Sequence, residues 1–334
     1  MKNKSLTLGI GSISVNIKSH SARYAELFYS QFYYGHREIL LDYLTKDDDL
    51  LLCGILQHGV RQIGLTPYPK DFQDFKTPRL ANWKRSPLWV YSKETVTHLR
   101  KQGARGSIEA IGAPWNYMTP PVANQEFDSK DNPVKKFVVF PTHYQIGMIA
   151  NLDESQIRNR INHWKRLADF QSLTVCLFWT EFLDPIWQKV CREEGVQITC
   201  AGIGTTDPVW AQHPSRLNFL YKIREILSEH THCIYESFSS GIFYAISMNK
   251  HVGLFPGPRD LPKYGSPSVG DWVNSVIEMD ESWVAMEMPG ILENFAADES
   301  LKSLANSLLG VNAVRQVNEL NDILKFRKSS LFDS

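Results

Sequence analysis

No stretch of the chain approaches the run of about twenty apolar residues that a membrane-spanning helix requires, so no helical span is expected. Net charge is absent too. The 36 Lys and Arg offset the 36 Asp and Glu, which removes the global field that draws a protein to nucleic acid or to an anionic membrane. Basic pairs such as Lys84-Arg85 and Lys135-Lys136 then read as solvated surface. Cysteine is scarce: five residues, an odd number, with no CxxC spacing. Four lie in or beside apolar runs, where a free thiol behaves as a small hydrophobe, so a reducing, cytoplasmic setting is expected. The basic opening "MKNKSLTLGIGSISVNIKSHS" lacks the apolar h-region of a secretory signal. Also missing are the GxGxxG dinucleotide fingerprint, the GxxxxGK[ST] phosphate loop, the GxSxG nucleophile elbow and HExxH or Cys/His clusters. These absences argue against NAD enzymes, P-loop NTPases, α/β-hydrolases and zinc sites, so neither a cofactor nor a metal is expected.

What is present is enough apolar material, 43% of 334 residues, for more than one ordinary core. The composition shifts at "TPPVANQEFDSKDNPVKK", a stretch rich in proline, amides and acids that reads as a linker. The resulting division is a first domain over 1–120, a linker over 121–135, a second domain over 136–300 and a helical tail over 301–334. In the first domain, "ARYAELFYSQFYYGHREILLDYL" reads as a helix with an aromatic face and "DLLLCGILQHG" as a buried strand running into a loop. Two further strands, "PLWVYS" and "SIEAIGAP", flank the helix "KETVTHLRKQG". The second domain alternates more cleanly. Strands are read in "KFVVFPTH", "LTVCLFW", "VQITCAG", "HCIYE" and "HVGLF", with helices between them. Five short apolar strands alternating with helices imply a parallel sheet covered on both faces.

A parallel sheet concentrates function where its strands end. "HCIYESFSSGIFYAISMNKHVGLF" places Glu236, Ser239, Ser240 and Gly241 in the turn between a strand and a helix. Unpaired amides at such a helix start, with the positive end of its dipole, favour a phosphate, and Glu236 is placed to accept from ribose hydroxyls. An ordinary helix cap accounts for Ser-Ser-Gly equally well. Thr142 and His143, in "PTHYQIG" after the first strand of the second domain, are further phosphate candidates. In "LQHGVRQIG", His58 follows an apolar strand and precedes a glycine, an exposed position that suits a general base, with Arg61 nearby for an anion. A merely exposed histidine fits as well. Gly112 in "GAPWNYM" is either a site residue or the exit into the linker. His213, before Pro214, is either a ligand contact or the start of a helix.

In order along the chain, "QHGVRQIG", "VYSKETVTHLRKQGARGSIEAIGAP", "KFVVFPTH" and "YESFSSGIFYAISMNKHVGLF" resemble segments of GT-B glycosyltransferases. The nearest resemblance is to the bacterial enzymes of capsule, lipopolysaccharide and teichoic-acid assembly, including CDP-glycerol glycerophosphotransferases. It spans about Leu50 to Phe255 and implies an α/β fold of two Rossmann-like domains facing a cleft. It further implies metal-independent transfer of a sugar from a nucleotide-activated donor to a glycan or lipid-linked acceptor. His58 would be the base, and Ser239, Ser240 and Gly241 would hold the diphosphate, with Glu236 near the ribose. His213-Pro214 is similar to a His-Pro motif of bacterial sialyl- and Kdo-transferases, though its spacing to Ser239 is short for that role. Lys250-His251-Val252 departs from the usual Lys-Pro-Val. A lipid-linked acceptor would bring the protein peripherally to the inner face of the cytoplasmic membrane. Three readings stay open beside it: a nucleotide-sugar 2-epimerase recruiting Glu181, Asp207 and Glu236, a glycerophosphate-type transferase, and a non-catalytic module of the same fold.

Overall fold

The structure is a computed structural model that describes residues 33–47, 50–57, 59–60, 87–101, 106–118, 135–142, 152–169, 171–202, 218–257 and 282–328. The first α/β unit opens with α1 (His36–Tyr43), then β1 (Leu50–Leu52), β2 (Ile55–Leu56), β3 (Leu88–Val90), α2 (Lys93–Lys101) and β4 (Ile108–Ala110). β2, β3 and β4 form a parallel sheet in that order. The central strand carries Leu88, Trp89 and Val90, all fully buried, as a strand covered on both faces must.

The second unit contains β5 (Phe137–Phe140), α3 (Glu154–Leu167), β6 (Leu173–Cys176), α4 (Trp179–Phe182), α5 (Pro185–Glu193), β7 (Gln197–Thr199), α6 (Phe219–Glu229), β8 (His232–Tyr235), α7 (Ser240–Ser247) and β9 (His251–Leu254). All five strands are parallel, in the order β7-β6-β5-β8-β9. The chain starts in the middle at β5, winds outward through β6 and β7, then returns to β8 and β9 on the other side. That reversal opens a crevice beyond the carboxyl ends of β5 and β8, the place where such sheets bind ligands. α3 is fixed locally by a capping box: Asp153 accepts from the Gln156 amide, and Gln156 accepts from the Asp153 amide. Its buried stripe is Ile157, Arg160, Ile161 and Trp164.

The expected α/β chain with parallel sheets and a helical carboxyl-terminal region is what the structure shows. Two details differ. "DLLLCGILQHG" is two strands, because β1 turns away to pair antiparallel with β10 (Phe326–Lys328) while β2 joins β3. The tail, α8 (Glu299–Leu308) and α9 (Val317–Ile323), therefore ends in a strand added to the first unit. The tail crosses over the end of β4. Gly310, at φ 66°, lies so close to the Tyr91 carbonyl that a Cβ there would come within 1.7 Å of its oxygen. Leu309 O accepts from the Ala113 amide at 2.8 Å and from Asn116 Nδ2 at 2.8 Å. The Arg315 guanidinium donates to Ala110 O at 3.2 Å.

One hydrophobic core is shared by the two units, beside a separate cluster in each. Trp115 stacks on Tyr244 at 4.4 Å and donates to Ser247 Oγ at 3.2 Å, Tyr34 stacks on Phe219 at 4.6 Å, and Arg224 donates to Met118 O at 3.0 Å. Nearly all of the proposed linker and residues 22–32 of the aromatic-faced helix lie outside the described residues. Among the described residues, no helix is long and apolar enough to cross a membrane.

Candidate functional site between the two sheets

The carboxyl ends of β2 and β3 meet the amino end of α7. Gln57, immediately after β2, is buried, and its amide clamps its own loop. Its Oε1 accepts from the Tyr91 amide at 2.8 Å and its Nε2 donates to Gly59 O at 2.8 Å. Tyr91, also buried, closes the ring by accepting from the Gly59 amide at 3.1 Å through its hydroxyl. The next residue reaches the other unit: the Val60 amide donates to Ser240 Oγ at 3.1 Å. Gly59 adopts φ 107°, and a Cβ there would lie 2.7 Å from Ser240 Oγ, so the contact requires glycine on both steric and conformational grounds.

α7 begins without a side-chain cap. Ser239 occupies the N-cap position in extended geometry, yet its hydroxyl makes no capping bond. The Ile242 amide bonds to Ser239 O at 3.2 Å, and among the described residues the Ser240 and Gly241 amides of the first turn are left as orphan donors. Ser240 Oγ accepts from the first unit and donates to no partner among the described residues. Gly241 packs against Tyr235, whose hydroxyl donates to Gly241 O at 2.8 Å; a Cβ would meet that ring at 3.1 Å. Its small size therefore serves Tyr235 on that side.

Beneath the crevice, Glu236 is turned into the protein, its side chain only 1% exposed. One oxygen accepts from the Thr142 amide at 2.9 Å and from the Arg160 guanidinium; the other accepts from Trp164 Nε1 at 2.8 Å. The carboxylate read from sequence as a ribose contact thus joins the ends of β5 and β8 to α3. Thr142 is brought to the crevice, with its amide engaged by Glu236. Arg160 and Trp164 escaped the sequence reading, although a charged residue in the apolar stripe Ile157, Arg160, Ile161, Trp164 signals a buried partner. Gln57 and Tyr91 were also missed, since nothing local marks a strand-end tyrosine as a loop clamp. Gly112, at φ 77°, lies under the tail, where a Cβ would come within 3.0 Å of Val314 and 3.1 Å of Gly310 O. Its place is at that crossing. His58, Arg61, His143 and His213 lie outside the described residues.

The rim also holds Glu181, in α4 directly after β6, whose Oε2 accepts from the Phe178 amide at 3.2 Å. Burial chiefly pushes its carboxyl up to about 7. The Phe178 amide and Arg160 act in the opposite direction, while Glu236 and Asp184 reinforce the rise. Burial also raises the thiol of Cys200 at the end of β7, and all five cysteines are free.

No protein-family profile matches the chain, and no curated protein matches it. Among solved structures it is similar to S. aureus MnaA with UDP (16% identity, TM-score 0.37), covering 78% of this chain and 62% of that one. UDP-GlcNAc 2-epimerase from Neisseria meningitidis bound to UDP-GlcNAc gives 14% identity, a TM-score of 0.35, and 78% and 68% coverage. A variant of the wall teichoic acid polymerase TagF gives 14%, 0.33, and 80% and 59%. The chain thus spans less than two thirds of the first and third of these proteins. Likenesses this distant assign neither a family nor an activity.

Proposed function

We propose that the protein is a GT-B-type glycosyltransferase, taking a sugar from a nucleotide-diphosphate donor to a glycan or lipid-linked acceptor. One observation carries the reading: the loop after β2 touches the uncapped start of α7 through Val60 and Ser240. The strand ends of two parallel sheets therefore converge on one place. The Ser240 and Gly241 amides, the α7 dipole and the Ser240 hydroxyl are suited to hold a diphosphate and to take up charge as it leaves. Gln57 and Tyr91 hold the backbone on either side of position 58, and His58 in that loop is the proposed base for the acceptor hydroxyl. Closure of the two units over bound ligand would exclude water and align the two substrates. A nucleotide-sugar 2-epimerase is the second reading, favoured by Glu181 on the rim, whose carboxyl burial pushes up to about 7.

A thermal-shift screen against UDP, GDP, CDP, CMP and ADP tests the site. One nucleotide is expected to raise the Tm, and Ser240→Ala to abolish the rise. No shift with any of them would sink the diphosphate site. Incubating the best nucleotide's sugars without acceptor separates the two readings: epimer formation identifies the epimerase, and intact donor the transferase.

A further inference from the structure

At the candidate site one hydroxyl joins the two units. Ser240 Oγ accepts from the Val60 amide at 3.1 Å. Gly59, one residue earlier, lies so close that a Cβ on it would stand 2.7 Å from the same oxygen. The loop is braced on its own side. The Gly59 amide donates to the Tyr91 hydroxyl at 3.1 Å, Gly59 O accepts from Gln57 Nε2 at 2.8 Å, and Gln57 Oε1 accepts from the Tyr91 amide at 2.8 Å. Gln57 and Tyr91 are buried, so little water competes for these bonds. Tyr91 is fixed in turn, because its carbonyl accepts from the Gly112 amide at 2.9 Å and lies against Gly310 of the tail. The start of α7 is braced too. The Tyr235 hydroxyl donates to Gly241 O at 2.8 Å, and Ile242 and Phe243 are buried. The Val60–Ser240 bond thus connects two held backbones, an arrangement that transmits a change at one to the other.

A serine hydroxyl accepts and donates at once. With a lone pair on the Val60 N–H, Ser240 can give its hydrogen to an anionic oxygen seated at the start of α7. In a chain running from N–H through O–H to an anion, each bond polarises the next, so the two strengthen together. We propose that Ser240 is a positioning residue for the loop of the first unit: an anion held at the start of α7 tightens the bond to Val60 and steadies the backbone around position 58. Linkage makes the effect reciprocal, so a loop seated on Ser240 raises the affinity for the anion. The proposal rests on the nucleotide-diphosphate reading of the crevice. It adds that the acceptor side is fully set only when the donor side is occupied.

The test is hydrogen exchange of the Val60 amide with and without saturating UDP, GDP or CDP, beside calorimetric affinities for the same nucleotides. For whichever binds, Val60 exchange is expected to slow by about fivefold or more beyond the slowing of the Ile108–Ala110 amides of β4, which report general stabilisation by ligand. Tyr91→Phe keeps the ring but removes the hydroxyl that holds the Gly59 amide, and it leaves α7 untouched. It is expected to weaken the nucleotide by about fivefold and to shrink the ligand-induced slowing at Val60. The wild-type exchange measurement does not depend on the variant folding. Val60 slowing no more than β4, or a Tyr91→Phe protein that binds the nucleotide as the wild type does, would overturn the assignment and leave the site reading standing. Binding of none of the three nucleotides would remove the site reading, and this inference with it.

Discussion

Glu236 is the best-connected side chain of the candidate site. A carboxylate that is 1% exposed is tolerated because Arg160 supplies charge and Trp164 and the Thr142 amide supply hydrogen bonds. Apolar residues of similar volume in place of such a buried pair are often as stabilising or more so. The effect of the pair is to hold the ends of β5 and β8 and the side of α3 at one distance. Glu236→Ala is expected to destabilise the fold by about 3–5 kcal/mol, since it strands a buried guanidinium. Urea unfolding at unchanged m-value reads this loss, and a change under about 1 kcal/mol would show that the guanidinium finds water. From sequence, Glu236 was read as a ribose contact at the end of a strand. Its position after an apolar strand marks the sheet end, but which way a carboxylate turns depends on Arg160, 76 residues away.

At the level of elements, the strands of the second unit were legible because buried parallel strands are near-continuous apolar runs, "FVVF" and "LTVC" among them. Helix starts were legible where a capping residue stands, as at Asp153 and Asp184. Short pieces were not. Leu50–Leu52 and Ile55–Leu56 read as one run, and only β10, far along the chain, separates them. The tail's docking depends on a close crossing. Gly310→Ala combines a left-handed φ with a Cβ placed 1.7 Å from the Tyr91 carbonyl oxygen. A cost of at least about 2 kcal/mol is expected, together with faster proteolysis within residues 311–328. Unaltered proteolysis in that variant would mean that the tail is held elsewhere.

Across the whole molecule, residues 309–328 dock on the first unit although they follow the second in the chain, while α8 packs on α7 of the second. β10 completes a ladder with β1, Arg315 donates to Ala110 O, and Tyr43 and Tyr117 hydroxyls bond to the Arg315 carbonyl and amide. Removal of residues 311–334 is therefore expected to cost cooperativity. In calorimetry the single transition of the intact chain should give way to an early transition of the first unit and a later one of the second. A truncated chain that still melts in one transition at the original Tm would contradict this.

The sequence by itself determined the alternation of strand and helix and the existence of a polar turn at the start of α7, because burial patterns and caps are local. It also singled out the loop around His58. Only the tertiary structure decided which strand ends face one another, that Ser240 receives the Val60 amide, and that Glu236 looks inward. Those outcomes depend on contacts between residues tens to hundreds of positions apart, whose energies no local pattern records.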